Sequence, residues 1–591
     1  MTSVRDIQLK LQNQSKTERK INMKKTGKTL GAILLSAVLA GSAACMNAVP
    51  VFADYTVTIN TPASDTSDHI YEAYQVFAGD LHGTAENAVL SNVDWGSGVK
   101  GDELLAALKT AKFGDETPFS GCADASAVAK VLDDWTDDSA NLQKFADIVS
   151  QHLNTATVTG TLGNKDLKMT QPGYYFIKDQ NESQDGKKNG AYTDYILKVV
   201  DSVKIDAKED VPSITKGIVT DEGLTPANAV SIGDKVDFQL DSKVPDMSAY
   251  EKYFFVVNDK MSDGLTFDEN SVKVYIDDLT APISADYYEV QTGADAGAGN
   301  TFQIVMKDFK TNYGDKSGKD IKITYSATLN EKAERSKIGN PNTVNLTYSN
   351  NPNHTYTGTN EPGAGEPSGI TPDSKTITYT TGIMITKIDG DTKKALQGAE
   401  FEIKGEGVNE VLVCSASDFT ADPDGEYYKL ANGSFTMDPP ASATDPNYDG
   451  NQRYKLTQTY TQKSHSGSGE NAAVKAEVDQ FGVVTFEGLG PGTYTITETK
   501  APARYNKVAP IKLVITANPT LDGPNWKVTK NDSVLVAPHD IYSFEVENNM
   551  GFTLPGTGGI GTTIFYVVGG LFIVGGLVLL ITKKRMNIKE K

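Results

Sequence analysis

From Pro212 to Asn549 apolar side chains recur at every second position, and a period of two points to strands packed as antiparallel sheet. Val236, Phe238 and Leu240 alternate with polar neighbours, as do Ile321, Ile323 and Tyr325, and Gly- and Asp-rich turns separate the runs. The pattern from Pro212 to about Pro352 reads as a β-sandwich. Asn360 to Asp373, with its three prolines and three glycines, reads as a linker or long loop. A second all-β segment runs from Ser374 to Asn549, with a longer polar insertion between Lys404 and Tyr454.

Several of these strands carry an ionisable or amide residue on the apolar face. Lys216 shares a face with Ile214 and Ile218, Asp259 with Tyr253, Phe255 and Val257, and Asn350 with Val344, Leu346 and Tyr348. The second segment repeats the arrangement with Lys387 beside Ile383 and Ile385, Glu498 beside Tyr494 and Ile496, and Asn548 beside Phe544 and Val546. Each group alone would cost several kcal/mol to bury, and burial drives lysine and carboxyl toward their neutral forms. A neutral lysine is a nucleophile, and a protonated acid polarises an asparagine carbonyl. Attack with loss of ammonia leaves a Lys–Asn isopeptide bond. Two ordered triplets, each with lysine on the first strand and asparagine on the last, favour that chemistry over strand-end residues turned to water.

Upstream the pattern is mixed. Leu104, Leu105 and Leu108, then Val128, Val131 and Leu132, then Leu142, Phe145 and Val149 fall at helical spacing, while Tyr55 to Ile59 and Tyr174 to Ile177 read as strands. This is an α+β domain over 54–207. At its end Val203, Ile205 and Ala207 point one way and Lys204, Asp206 and Lys208 the other, so Lys208 is exposed at a boundary that Pro212 closes.

With 591 residues and a net charge of −20, the chain has length for several domains and no basic face for nucleic acid. Lys24, Lys25 and Lys28, the apolar stretch Leu30 to Ala40 and the small-residue site ending at Ala53 form a secretory signal over 1–53, with Met23 as an alternative start. Ser42-Ala43-Ala44-Cys45 allows a lipoprotein reading, but the leucine expected three residues before that cysteine is missing. The other cysteines, Cys122 and Cys414, fall in different domains and make no disulfide framework. The six histidines have no metal-ligand spacing, and no metal, cofactor or turnover chemistry is expected.

At the other end, 550–591 contains Leu554-Pro555-Gly556-Thr557-Gly558, an apolar run from Ile560 to Thr582, and Lys583-Lys584-Arg585. The run is long enough to span ~30 Å of hydrocarbon, and the basic cluster keeps the C-terminus cytoplasmic. The five residues resemble the LPxTG sorting signal, cut by Gram-positive sortases between Thr and Gly. Ile385-Thr386-Lys387-Ile388-Asp389 with Leu396 to Phe401 resembles the opening of a Cna B-type domain, and Tyr494 to Pro502 resembles the pilin E-box. Val211 to Lys216 and Tyr348 to Pro352 resemble the ends of the middle domain of sortase-assembled major pilins. The resemblance implies a mainly β chain of tandem Ig-like, Cna-type β-sandwich domains over 208–373 and 374–549, behind the α+β domain and ahead of a transmembrane helix.

It further implies the major subunit of a cell-surface pilus (fimbria) that supports adhesion, the membrane helix being a transient precursor anchor. A class C sortase would join Thr557 to Lys208 of an identical subunit, with minor pilins and peptidoglycan as further partners; the host or bacterial ligand stays unnamed. The family's Val-Tyr-Pro-Lys motif is replaced here by Ile205-Asp206-Ala207-Lys208, which leaves Lys204 as rival acceptor. Glu498 would promote the Lys387–Asn548 bond and Asp259 the Lys216–Asn350 bond, with Asp234 and Asn351 as the neighbouring alternatives for that acid and asparagine. The alternative is a wall-anchored tip or base adhesin that is not itself polymerised.

Overall fold

The structure, a computed structural model, describes residues 55–61, 65–83, 88–135, 139–199, 202–206, 211–405, 408, 410–465, 472–537, 542–550 and 560–587. The signal segment 1–53, Lys208 and the motif Leu554 to Gly558 lie outside the described residues. The chain forms two compact units, one of residues 1–227, 235–328 and 340–377 and the other of residues 228–234, 329–339 and 378–591.

The first unit begins with the α+β domain. Tyr55–Asn60 is the central strand of a three-stranded sheet, antiparallel to Asp166–Met169 and parallel to Val203–Asp206. A second sheet runs Val89–Trp95, Tyr71–His82, Gly173–Asp179, Asp194–Val199, with Val158–Thr159 added to Tyr71–His82. The run Tyr174 to Ile177 is apolar throughout because both its faces are covered. Tyr174 and Phe176 pack with Leu104, Leu108, Val128, Leu132 and Phe145 of the helices Gly101–Thr110, Ala125–Asp133 and Ala140–Ser150, while Tyr175 and Ile177 pack with Val57 and Ile59. Two of the helices start where Asp124 and Ser139 accept from the N–H groups of Ala127 and Leu142, satisfying orphan donors of the first turn.

Two sheets follow. One runs Gly223–Thr225, Ile214–Thr220, Lys235–Lys243, Asp320–Leu329, Leu265–Ile276. The other runs Ala227–Ala229, Ser374–Tyr379, Asn340–Ser349, Phe255–Met261, Phe302–Met306, Tyr288–Thr292, with Ser368–Ile370 on Asn340–Ser349. Ser374–Tyr379, which begins at the boundary expected at 374, is paired within this sheet. The Pro- and Gly-rich segment 360–373 is also less free than its composition suggests. Glu366 accepts from the N–H groups of Thr357 at 2.5 Å and Gly363 at 2.6 Å, and from the Thr357 hydroxyl at 2.7 Å.

The second unit holds a seven-stranded sheet, Phe435–Thr436, Tyr427–Leu430, Tyr448–Ser464, Glu410–Ala421, Val483–Leu489, Thr381–Asp389, Tyr542–Asn548. Its six-stranded partner runs Ala473–Glu477, Glu400–Gly405, Gly492–Lys500, Ile511–Thr516, Lys527–Lys530, Ser533–Val534. Ile383, Phe401, Phe486, Tyr494, Leu513 and Val546 lie in the core between them. The first strand, Thr381–Asp389, and the last, Tyr542–Asn548, are parallel neighbours. Much of the polar insertion is paired as well: Glu410–Ala421 and Tyr448–Ser464 form a long antiparallel ladder that extends the sheet. The C-terminal helix Ile560–Asn587 contains a span of 24 residues, Thr563–Met586, long and apolar enough to cross a membrane.

Candidate functional site

In the first unit Lys216 sits on Ile214–Thr220 opposite Leu240, its side chain fully removed from solvent. Its Nζ donates to Asp259 Oδ2 at 2.7 Å and to Asn342 Oδ1 at 2.5 Å. The Tyr325 hydroxyl donates to the same Asp259 oxygen at 2.7 Å and accepts from Asn342 Nδ2 at 3.1 Å. Phe238, stacked on Tyr325 at 5.2 Å, and Phe302, edge-on at 5.1 Å, wall the cluster. Removal from water lowers the Lys216 pKa to about 8 against the attraction of Asp259, and burial raises that of Asp259 against the attraction of Lys216. A lysine with a populated neutral form thus points at an amide carbonyl in a dry, aromatic pocket.

The asparagine is not the expected one. Asn342 lies on Asn340–Ser349 and Asn350 one residue past its end in the same phase, so both are buried, but eight residues separate them by roughly 26 Å along an extended chain. The antiparallel register places Asp259 opposite Val344 and Met261 opposite Asn342, which brings Asn342 to Lys216. Asn350 lies at the far end, where its Nδ2 donates to the carbonyls of Gln184 at 2.9 Å and Gly190 at 3.4 Å. Its backbone carbonyl accepts from the Tyr192 N–H at 2.6 Å. Alternation gives phase but not register, and the partner strand supplies the register.

In the second unit the expected residues come together. Lys387, Glu498 and Asn548 are buried. Asn548 Nδ2 donates to Glu498 Oε1 at 2.9 Å, and the Val508 N–H donates to Glu498 Oε2 at 2.9 Å. Lys387 is opposite Val546, two residues before Asn548 on the same strand, and its Nζ donates to the Val546 carbonyl at 2.6 Å. Asn548 Oδ1 is buried with no hydrogen-bond partner among the described residues, a state that ordinarily costs about 1–3 kcal/mol. Burial lowers the Lys387 pKa to about 8, partly offset by Glu498 and Glu547.

Lys204, on Val203–Asp206, is exposed opposite Thr58, with Val203 and Ile205 half-buried as their alternation requires. Cys122 and Cys414 are buried free thiols.

One polar cluster had been overlooked. Ser67 Oγ lies 3.0 Å from His69 Nε2, and His69 Nδ1 lies 2.7 Å from Asp179 Oδ1, an order that suggests nucleophilic catalysis. Asp65 changes that reading. Its Oδ2 is 3.0 Å from the same His69 Nε2, and its Oδ1 accepts from Ser67 Oγ at 2.8 Å. A carboxylate oxygen lies within hydrogen-bond distance of each ring nitrogen, so Asp65 competes with Ser67 for Nε2, and an imidazole that donates on both sides has no lone pair to take a proton. The cluster is a buried polar set that fixes the loop around Gln184, whose Oε1 lies 2.7 Å from Ser67 Oγ. Its sequence signal is three polar residues in one phase, Asp65, Ser67 and His69.

Three stretches match known families. Residues 232–352 match the Gram-positive pilin backbone subunit 2, Cna-B-like domain; 448–529 match the SpaA prealbumin-like fold domain; 546–587 match the LPXTG cell wall anchor motif. The chain is 26% identical over 407 residues to the trypsin-resistant surface T6 protein of Streptococcus pyogenes serotype M6, covering 64% of this chain and 70% of that protein. It is similar to the solved T6 backbone pilin of serotype M6 Streptococcus pyogenes, with 16% identity and a TM-score of 0.46 over 85% of this chain and 99% of that one. The full-length major pilin SpaD from Corynebacterium diphtheriae is similar at 16% identity and a TM-score of 0.39, over 84% of this chain and 97% of that one.

Proposed function

Because the chain is a homologue of the T6 backbone pilin that carries a pilin-backbone domain, a prealbumin-like domain and a cell wall anchor motif, we propose that it is the major structural subunit of a surface pilus. The anchor motif and the apolar helix beside it make it a cell wall-anchored protein with a transient membrane precursor. In this reading a class C sortase opens the Thr557–Gly558 bond and transfers the threonine acyl group to Lys208 of the next subunit. Lys204, exposed on the strand that leads there, is the rival acceptor. Minor pilins and peptidoglycan complete the assembly, and the shaft supports adhesion.

Within each subunit, Lys216 joins Asn342 beside Asp259, and Lys387 joins Asn548 beside Glu498. The observation that carries this reading is that two sandwiches each bury a lysine, an acid and an asparagine together. An unlinked cluster of that kind carries a desolvation cost that pairing and hydrogen bonding only partly offset, whereas ligation removes the charge and closes a loop of over a hundred residues. In the chain-entropy model such a tie restricts the unfolded state by about 5 kcal/mol. A fibre pulled from both ends needs that kind of closure.

The test of polymerisation is Lys208→Ala. The variant should fold and reach the wall, but the high-molecular-weight ladder released by wall digestion should vanish. A ladder that survives Lys208→Ala and is lost in Lys204→Ala would move the acceptor to Lys204.

A further inference from the structure

We propose that Tyr325 is a catalytic residue of the Lys216–Asn342 ligation, relaying to the asparagine nitrogen the proton with which ammonia departs. The inference rests on the reading above that this bond forms. It arises from a difference between the two clusters. Glu498 accepts directly from the Asn548 amide nitrogen at 2.9 Å, so acid and leaving group touch. In the first unit Asp259 meets the lysine instead, and the hydrogen bonds among the described residues join it to the Asn342 nitrogen only through the Tyr325 hydroxyl. The four side chains close a ring: Lys216 Nζ to Asp259 Oδ2 at 2.7 Å, Asp259 Oδ2 to Tyr325 Oη at 2.7 Å, Tyr325 Oη to Asn342 Nδ2 at 3.1 Å, and Asn342 Oδ1 back to Lys216 Nζ at 2.5 Å.

The ring balances the reaction. Asp259 takes a proton from the Lys216 ammonium, and the free amine attacks the Asn342 carbonyl carbon, sending the C=O pair onto Oδ1. An amide nitrogen has no basic lone pair, but the tetrahedral intermediate has one. At that stage the hydrogen bonds reverse: the Asp259 acid donates to Tyr325 Oη while Tyr325 passes its own proton to Nδ2. The lysine nitrogen, now cationic, returns its extra proton to Asp259. The Oδ1 pair reforms the carbonyl, the C–Nδ2 bond breaks, and ammonia leaves. One ammonium, one carboxylate and one primary amide become one secondary amide, one ammonia and one neutral aspartic acid, with five protons and zero charge on each side.

Water has no easy route to this proton. Asp259 and Asn342 are 0% exposed and Tyr325 2%. Phe238, Phe302 and Phe267, at 5.2, 5.1 and 6.0 Å from the Tyr325 ring, occupy the space a solvent chain would need. In the sequence Tyr325 passes for one more apolar residue in phase with Ile321 and Ile323. Its hydroxyl is what sets it apart.

The test is Tyr325→Phe in the full chain, which keeps the ring and removes the hydroxyl. After a pulse of isotopically labelled leucine, peptide mass spectrometry follows the newly made chain for the Lys216–Asn342 and Lys387–Asn548 cross-linked peptides. The relay predicts that Lys216–Asn342 closes at least tenfold more slowly in Tyr325→Phe, with Lys387–Asn548 closing at the wild-type rate. Equal rates for Lys216–Asn342 in the two proteins overturn the relay and leave the bond itself standing. Absence of the Lys216–Asn342 peptide from the wild type overturns the bond and the relay together. If Tyr325→Phe does not fold, 3,5-difluorotyrosine at position 325, close to tyrosine in shape but with a more acidic phenol, decides the matter. A changed closure rate supports the relay, and an unchanged one overturns it.

Discussion

Lys216 and Lys387 have their pKa lowered to about 8 by burial, so the folded protein prepares its own nucleophiles. Asn342→Ala isolates that effect by leaving Lys216 with no carbonyl to attack. The ordinary lysine value is 10.5, so between about 8 and 10.5 the folded variant binds fewer protons than its unfolded chain. Stability from this group therefore rises with pH across that window and is lowest below it. The Tm of Asn342→Ala should climb through the window relative to that of the Lys216→Met/Asn342→Ala double variant; parallel curves would contradict a buried, titrating lysine. Asn350→Ala is the control, since it should keep the Lys216–Asn342 bond and lose only the contacts to Gln184 and Gly190. The sequence showed Lys216, Asp259, Lys387, Glu498 and Asn548 because each interrupts an apolar face. It did not separate Asn342 from Asn350, which share that face, and it hid Tyr325 because an aromatic residue in phase looks like packing. Only the pairing of Phe255–Met261 with Asn340–Ser349 distinguishes them.

In the second unit the first and last strands lie side by side and parallel, so tension applied at Thr381 and beyond Asn548 loads their ladder in shear. A Lys387–Asn548 bond takes that load directly, and the residues between the two positions carry none. Glu498→Ala should prevent the bond and also leave the Val508 N–H and the Asn548 amide without their acceptor, each at about 1–3 kcal/mol. Single-molecule pulling should then show this sandwich unfolding with a gain of roughly 500 Å, the extended length of about 160 released residues. Wild type should give no such event. A Glu498→Ala protein that stays as inextensible as wild type would make Glu498 an ordinary strand residue. The strands themselves were legible from alternation, and the helices from their apolar spacing. The pairing within the polar segment from Lys404 to Tyr454 was not, because its outward face is hydrophilic and a two-residue period there carries little apolar signal.

Across the whole molecule the two proposed bonds would define a covalent path from Lys208 to Thr557 that bypasses residues 217–341 and 388–547. Force entering at one inter-subunit bond and leaving at the next would then cross both sandwiches without opening those loops. The architecture was readable because each level agreed with the next: an anchor motif at the C-terminus, alternation in two long segments, and a lysine at the start of each. The pairing of Ser374–Tyr379 with Asn340–Ser349 was not, since a Pro-rich segment usually marks a boundary and here precedes a strand of the same sheet. The most direct measurement is the intact mass of the segment from Asp54 to Asn549, followed by peptide mapping. The account predicts a mass lower than the sequence mass by two ammonias, with Lys216 linked to Asn342 and Lys387 linked to Asn548; an unmodified mass would contradict it.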